Sequence, residues 1–181
     1  MLFNNLATNI YIIHENDEWI PPFAQAFERA GIKFGEIYLT QGGIDLDSPP
    51  PQGVFWSRLS ASSHTRDHSL SKEYGRAVLS WLEYYGRRVI NGSSVLELEV
   101  SKVRQYLALN KAGFQTPFIT KHNQGGKGLG VRRFESIEEF KEYIESSAFE
   151  PPIDGITLLQ EYIRAKEFYI TRIEFIGGKF H

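Results

Sequence analysis

Lys121 stands four positions ahead of Gly125, and Gly126, Lys127, Gly128 and Gly130 complete the most glycine-dense stretch of the chain. Residues without a Cβ can take positive φ and let consecutive backbone N–H groups close on an anion, while two lysines add positive charge. The chemistry these types support is the covering of phosphates. Lys127 is followed by Gly128 where a Walker A loop needs Ser or Thr for magnesium, and the glycine spacing does not fit a dinucleotide fingerprint. A flexible hairpin connection accounts for the same glycines, and these residues alone leave both readings open.

A second candidate lies earlier, in the polar stretch 57–71, which carries Arg58, Ser60, His64, Arg66 and His68 directly after a short β-prone run. In open α/β sheets ligands sit beyond the carboxyl ends of strands, and a guanidinium there suits bidentate binding of a carboxylate. Arg58, nearest the strand end, is therefore expected to hold a substrate carboxylate. His64 and His68 are read as ordinary loop residues, because the sequence offers them no convincing third metal ligand. Lys102 falls in the first turn of an expected helix, where the helix dipole disfavours a cation. It is either solvated or aimed at an anion.

The elements that would position these groups follow from periodicity. β-prone runs at 9–14, 34–39, 54–56 and 88–91 alternate with helical patterns at 23–30 and 74–85, the order of a small α/β domain with a largely parallel sheet. The stripe of Tyr74, Ala77, Val78, Trp81, Leu82 and Tyr85 predicts a buried helix face. Two helices follow Gly92, the second over 101–112 and closed by Gly113. The glycine stretch is expected to join a strand before it to a second strand restarting at Val131. Ser136 to Glu139 is a capping box, with Ile137, Phe140 and Ile144 as the buried face of its helix. The last strands are expected over 157–163 and 168–176, with Gly177-Gly178 as a hairpin turn.

With 181 residues, 41% of them hydrophobic, the chain can bury a substantial core, and a net charge of -2 supplies no basic field for nucleic acid. Any anion site must be local. The chain contains no cysteine, which removes disulfides, thiol nucleophiles and Cys-type zinc sites and fits a reducing cytoplasm. No apolar run reaches membrane-spanning length and the first residues lack the regions of a signal peptide. A cytoplasmic protein with no membrane partner is expected; self-association into a homo-oligomer is left open.

An ordered set of segments resembles the ATP-grasp superfamily, and within it the RimK-like carboxylate-amine ligases such as the glutamate ligases. The set runs from Val89-Ile90-Asn91 through Ser101-Lys102 and Ala112-Gly113-Phe114-Gln115-Thr116-Pro117 to Thr120-Lys121 with the glycine stretch. It continues with Leu159-Gln160-Glu161-Tyr162-Ile163 and ends with Arg172 ahead of Gly177-Gly178. The resemblance covers about residues 74–180 and implies an α/β, ATP-grasp-like fold. A parallel-sheet pre-domain (1–95) would precede a partial nucleotide-binding region (96–181) whose lid spans about 118–149.

The resemblance further implies that Lys102 and Lys121 contact the phosphates of ATP and that Gly125, Gly126, Lys127, Gly128 and Gly130 fold down over them. Gln160, Glu161 and Ile163 would form the adenine edge, Glu167 would reach the ribose, and Arg172 would face the phosphates or an acyl-phosphate. The implied reaction joins a small-molecule or peptide carboxylate to an amine with ATP and magnesium. Two departures accompany it. Pro117 runs straight into Phe118 where the family places a strand and a helix, and the acidic and asparagine magnesium ligands are expected beyond His181. The alternatives are a non-catalytic nucleotide- or partner-binding module derived from the same fold, and a plain α/β structural module.

Overall fold

The structure is a computed structural model that describes residues 9–113, 118–124, 126–162, 169, 171–176 and 178–180. Four parallel strands form the front sheet: β1 (Ile10–His14), β2 (Gly35–Tyr38), β3 (Val54–Ser57) and β4 (Arg88–Ile90), in the order β2-β1-β3-β4. The register sets Ile13 beside Ile37 on one side and Ser57 on the other. The apolar run of β1 is buried on both faces, as a central parallel strand requires. Strand order reverses between β1 and β3, so the crevice beyond their carboxyl ends is the place where such sheets bind ligands.

Helix α1 (Ile20–Arg29) begins with Pro21 and Pro22 in its first turn, where a missing N–H costs nothing, and Gly31 takes φ 66° just past its end. Its Phe23 meets Trp56 of β3 edge-on, with ring centroids 4.8 Å apart. Helix α2 (Ser71–Tyr84) covers the opposite face. Val78, Leu79 and Leu82 pack there with Ile13, Ile37 and Phe55, all fully buried. Of the expected stripe Val78, Trp81 and Leu82 are core and Tyr74 and Tyr85 flank it half-buried, but Ala77 is exposed, and Ser71, Lys72, Gly75 and Leu79 complete the buried face instead.

Helix α3 (Ser93–Glu99) follows β4, and α4 (Lys102–Lys111) packs against it. The N-terminus of α3 is capped from α2: Glu83 accepts from the Ser93 amide at 2.8 Å and from its hydroxyl at 2.7 Å. Beyond Gly113 come β5 (Phe118–His122), α5 (Ile137–Glu145) and β6 (Thr157–Glu161), with β5 and β6 antiparallel. A final hairpin pairs β7 (Phe175–Ile176) with β8 (Lys179–Phe180) around Gly178, at φ 79°.

Three expectations are corrected. Val131 opens no strand; among the described residues the chain after the glycines pairs with β5 only through an isolated bridge, Thr120 to Arg132. Residues 171–174 are not strand either, which shortens the expected 168–176 run to β7. The α5 stripe is only half realised: Ile137 and Ile144 stay 48% and 40% exposed. The aromatic groups replace them as the packing unit, Phe134 standing 5.4 Å from Phe140 and from Tyr143, with Phe149 next to Tyr143. The capping box is present in altered form, since Ser136 accepts from the Glu139 amide while Glu139 accepts from the Glu135 amide instead of that of Ser136.

Candidate functional site

The base of the glycine stretch, Asn123-Gln124, is held by the N-terminus of α4 and by a lysine side chain from the first turn of α2. Asn123 is 5% exposed, and its side-chain oxygen accepts from the Val103 amide at 3.0 Å and the Ser101 hydroxyl at 3.3 Å. Its amide nitrogen donates to Asp154 at 2.7 Å, and its backbone carbonyl accepts from the Lys102 ammonium at 3.1 Å. One residue on, the Gln124 side-chain oxygen accepts from the ammonium of Lys72, in the first turn of α2. Leu70, the N-cap of α2, offers no side-chain acceptor, and Glu73 is the acidic residue in that helix's first turn.

Lys72 is 3% exposed, and Lys102 and Lys121 are half-buried. Burial pushes the Lys102 ammonium below its ordinary range, repulsion from Lys121 and Lys72 adds to this, and Glu99 and Asp154 oppose it. Burial likewise depresses Lys72, against the pull of Asp154, and it depresses Lys121. His64 belongs to the same neighbourhood: burial lowers it first, then the charge of Lys72, with Arg66 and His122 acting the same way. Three lysines depressed by burial lie around this locus, with Glu73, Glu99 and Asp154 pulling the other way, and an anion that bridged them would favour their charged forms.

The glycines above this locus serve different ends. Gly128 and Gly130 take φ 79° and 67°, and Lys127 just before them takes φ 56°, rare for a residue with a side chain. Gly130 also lies against His122: a Cβ there would fall 2.0 Å from Cδ2 and 2.6 Å from Cγ. Gly126 instead permits close approach to the front sheet's loop, a Cβ there coming within 3.1 Å of the Ser62 Cβ. Lys127 and Gly128 are exposed. The pairing of Lys121 with Leu158 puts Lys121 and Gln160 on one face of the β5–β6 ribbon, where Gln160 is 8% exposed. A cavity of about 290 Å³ between Thr120, Phe134, Ile137 and Leu159 opens on the other face and belongs to the packing of α5.

Arg58 occupies a separate place, beyond the carboxyl end of β3 at the strand-order reversal. Its guanidinium carbon lies 5.3 Å from the ring centroids of Phe23 and Trp56 and 6.0 Å from that of Trp19. Its Nε is buried without a hydrogen-bond partner. With Trp19, Ser60, Asn91 and Glu99 it lines a cavity of about 320 Å³. Trp19 also stacks on Arg66 at 5.0 Å, and Arg66 forks onto the fully buried Glu15 with bonds of 2.5 and 3.2 Å. His68 bonds the same carboxylate at 3.0 Å. Neither His64 nor His68 joins a metal-type cluster. Among the described residues only His14, Asp17 and Glu36 bring three ligand atoms within 4.8 Å of one another, and His14 Nε2 there already bonds Glu36 at 3.0 Å.

The structure thus brings Lys102, Lys121, Gly126 and Gln160 to the β5–β6 region and sets Arg58 apart from them. Arg172 is exposed in the 171–174 stretch and makes no hydrogen bond or ion pair among the described residues. Gly125, Ile163, Glu167 and the side chain of Glu161 lie outside the described residues. Lys72, Asn123, Gln124 and Asp154 were not anticipated. The signal for Lys72 was available: it shares the face of Gly75, Leu79 and Leu82, so a lysine sits on the apolar side of a helix in its first turn.

No family model matches the sequence, and no curated protein does. Among solved structures, the fold is similar to that of a RimK domain protein ATP-grasp from Sphaerobacter thermophilus DSM 20745, with a TM-score of 0.55 and 12% identity. The match takes in 88% of this chain and 65% of that one. At that identity the likeness concerns fold alone. The chain has a mixed α/β architecture with a parallel front sheet. Among the described residues no helix is long and apolar enough to cross a membrane.

Proposed function

We propose that this chain binds ATP at the lysine locus and that the protein is a RimK-like carboxylate-amine ligase, forming an amide or peptide bond through an acyl-phosphate. The observation that carries the reading is the convergence of Lys72, Lys102 and Lys121, each depressed by burial, at the base of the glycine loop. Lys102 and Lys121 hold the phosphates and neutralise charge as the γ-phosphoryl group moves, and residues 125–130 close over it as part of a lid spanning about 118–149. Gln160, Glu161 and Ile163 border the adenine, Glu167 meets the ribose, and Arg172 approaches the acyl-phosphate on closure. The division into a pre-domain (1–95) and a nucleotide-binding region (96–181) belongs to the same proposal.

Arg58 holds the acid substrate. Its unpartnered Nε and the cavity beside it leave room for a carboxylate, and the ring faces of Phe23 and Trp56 fix the plane of the guanidinium. Magnesium would shield the phosphates when bound, as it does in phosphoryl transfer generally. The carboxylates that act on Lys102 are Glu99 and Asp154, and Asp154 is committed to Asn123, so the described residues do not assemble a magnesium site beside the lysines.

The test is to trap the acyl-phosphate. Incubating the protein with magnesium, ATP, hydroxylamine and a panel of carboxylic acids should yield an acyl hydroxamate that depends on both ATP and one class of acid. ATP binding without hydroxamate or phosphate release from any acid would favour the non-catalytic nucleotide-binding module. Absence of ATP binding would reject both.

A further inference from the structure

Lys72 belongs to α2 of the front sheet, yet its side chain ends on the glycine loop's base, 52 positions away in sequence. An ammonium carries three donors. Among the described residues this one has a single hydrogen-bond partner, the neutral side-chain oxygen of Gln124, although it is 3% exposed. Burying a charge beside a neutral acceptor is costly; of the carboxylates that act on Lys72, Asp154 is already held by Asn123 and Glu73 is paired with Arg76. The N-terminus of α2 has no side-chain cap, and Glu73, the acidic residue of its first turn, is paired with Arg76.

We infer that Lys72 is a third phosphate-binding lysine, supplied by the front sheet and held by Gln124 until a polyphosphate displaces that amide. The inference rests on the nucleotide reading of the lysine locus. It gives the pairing a purpose: Gln124 lies at the base of the loop that would close, so exchanging an amide for a phosphate at Lys72 releases the loop's base from α2 as the anion arrives. The front sheet then contributes to the nucleotide site directly, beside the carboxylate site at Arg58. Gly126 against Ser62 marks the second point where the same loop meets the front sheet.

Calorimetry with magnesium-ATP and, separately, with inorganic tripolyphosphate tests this on the full chain, comparing wild type with Lys72→Met and Gln124→Ala. Losing a charge-assisted phosphate contact should weaken both ligands about tenfold or more in Lys72→Met. Gln124→Ala, which removes only the competing partner, should bind as tightly as wild type or more tightly. Equal weakening in the two variants would mean a structural latch and would overturn the inference. Unchanged affinity in Lys72→Met, with wild type binding ATP, overturns it while leaving the nucleotide site intact. Tripolyphosphate binding that depends on Lys72, with no response to ATP, supports Lys72 and rejects the nucleotide. Binding of neither ligand rejects both. Thermal unfolding checks each fold, and Lys72→Gln replaces the methionine variant if that one does not fold.

Discussion

The side-chain oxygen of Asn123 accepts the amide of Val103 at 3.0 Å, so a residue at the base of the glycine loop caps the helix that carries Lys102. This places the loop, the helix dipole and a lysine in one rigid unit. Asn123→Ala removes that cap and the bond to Asp154 together while leaving the backbone carbonyl that Lys102 uses. A loss of about 1 to 3 kcal/mol is expected, since buried partners are left unsatisfied. Urea unfolding measures it, and an unchanged midpoint would show that the loop base does not stabilise α4.

Gly130 and His122 define a second contact with a sharp consequence. Gly130→Ala should be destabilising on two counts, the φ of 67° and a methyl placed 2.0 Å from the imidazole. His122→Ala in the same chain should remove the steric part and leave the conformational part, about 1 kcal/mol. A double mutant no more stable than Gly130→Ala would show that the two residues are not in contact.

The depressed lysines make nucleotide binding a proton-linked event. Burial lowers Lys72, Lys102 and Lys121 below the ordinary 10.5, so in the window ending at 10.5 the native protein holds fewer protons than the unfolded chain and stability from these groups rises with pH. Tyr11 and Tyr74, raised above 10.0 by burial, act oppositely: their contribution is lost as pH rises past 10.0. Phosphates favour the charged lysines, so magnesium-ATP binding in that alkaline window should take up protons. Binding heats in buffers of different ionisation enthalpy read this directly, and proton release would contradict it.

Arg58 and Lys121 should separate in kinetics. Arg58→Ala is expected to raise KM for the acid and to leave ATP affinity nearly unchanged, because a positioning contact acts mainly on substrate binding. Lys121→Ala should slow phosphoryl transfer whatever acid is supplied. Loss of ATP binding in Arg58→Ala, with acid affinity intact, would move the front-sheet loop into the nucleotide site.

The alternating order of runs in the front half was legible because a buried parallel strand writes an unbroken β-prone run, as Ile10–His14 does. Lys102 was legible as an anomaly of helix electrostatics. Its partner was not, because the Asn123 carbonyl reaches Lys102 only through tertiary packing. The α5 stripe misled for a related reason: periodicity marks a face that can be buried, and here Phe134, Tyr143 and Phe149 supply the packing while Ile137 stays open. Arg58 was singled out by its strand end, but its three aromatic neighbours come from α1, β3 and the turn that precedes α1.

Titrating the chain with ATP in the presence of magnesium, alongside Lys102→Ala and Lys121→Ala, tests the lysine locus most directly. Saturable binding in the wild-type chain is predicted, with an upward shift of the unfolding midpoint worth about 1 kcal/mol or more at tens of Kd, and both responses sharply reduced in each variant. Saturating millimolar ATP that produces neither heat nor thermal shift in the wild-type chain, or affinity that survives both substitutions, would contradict the account.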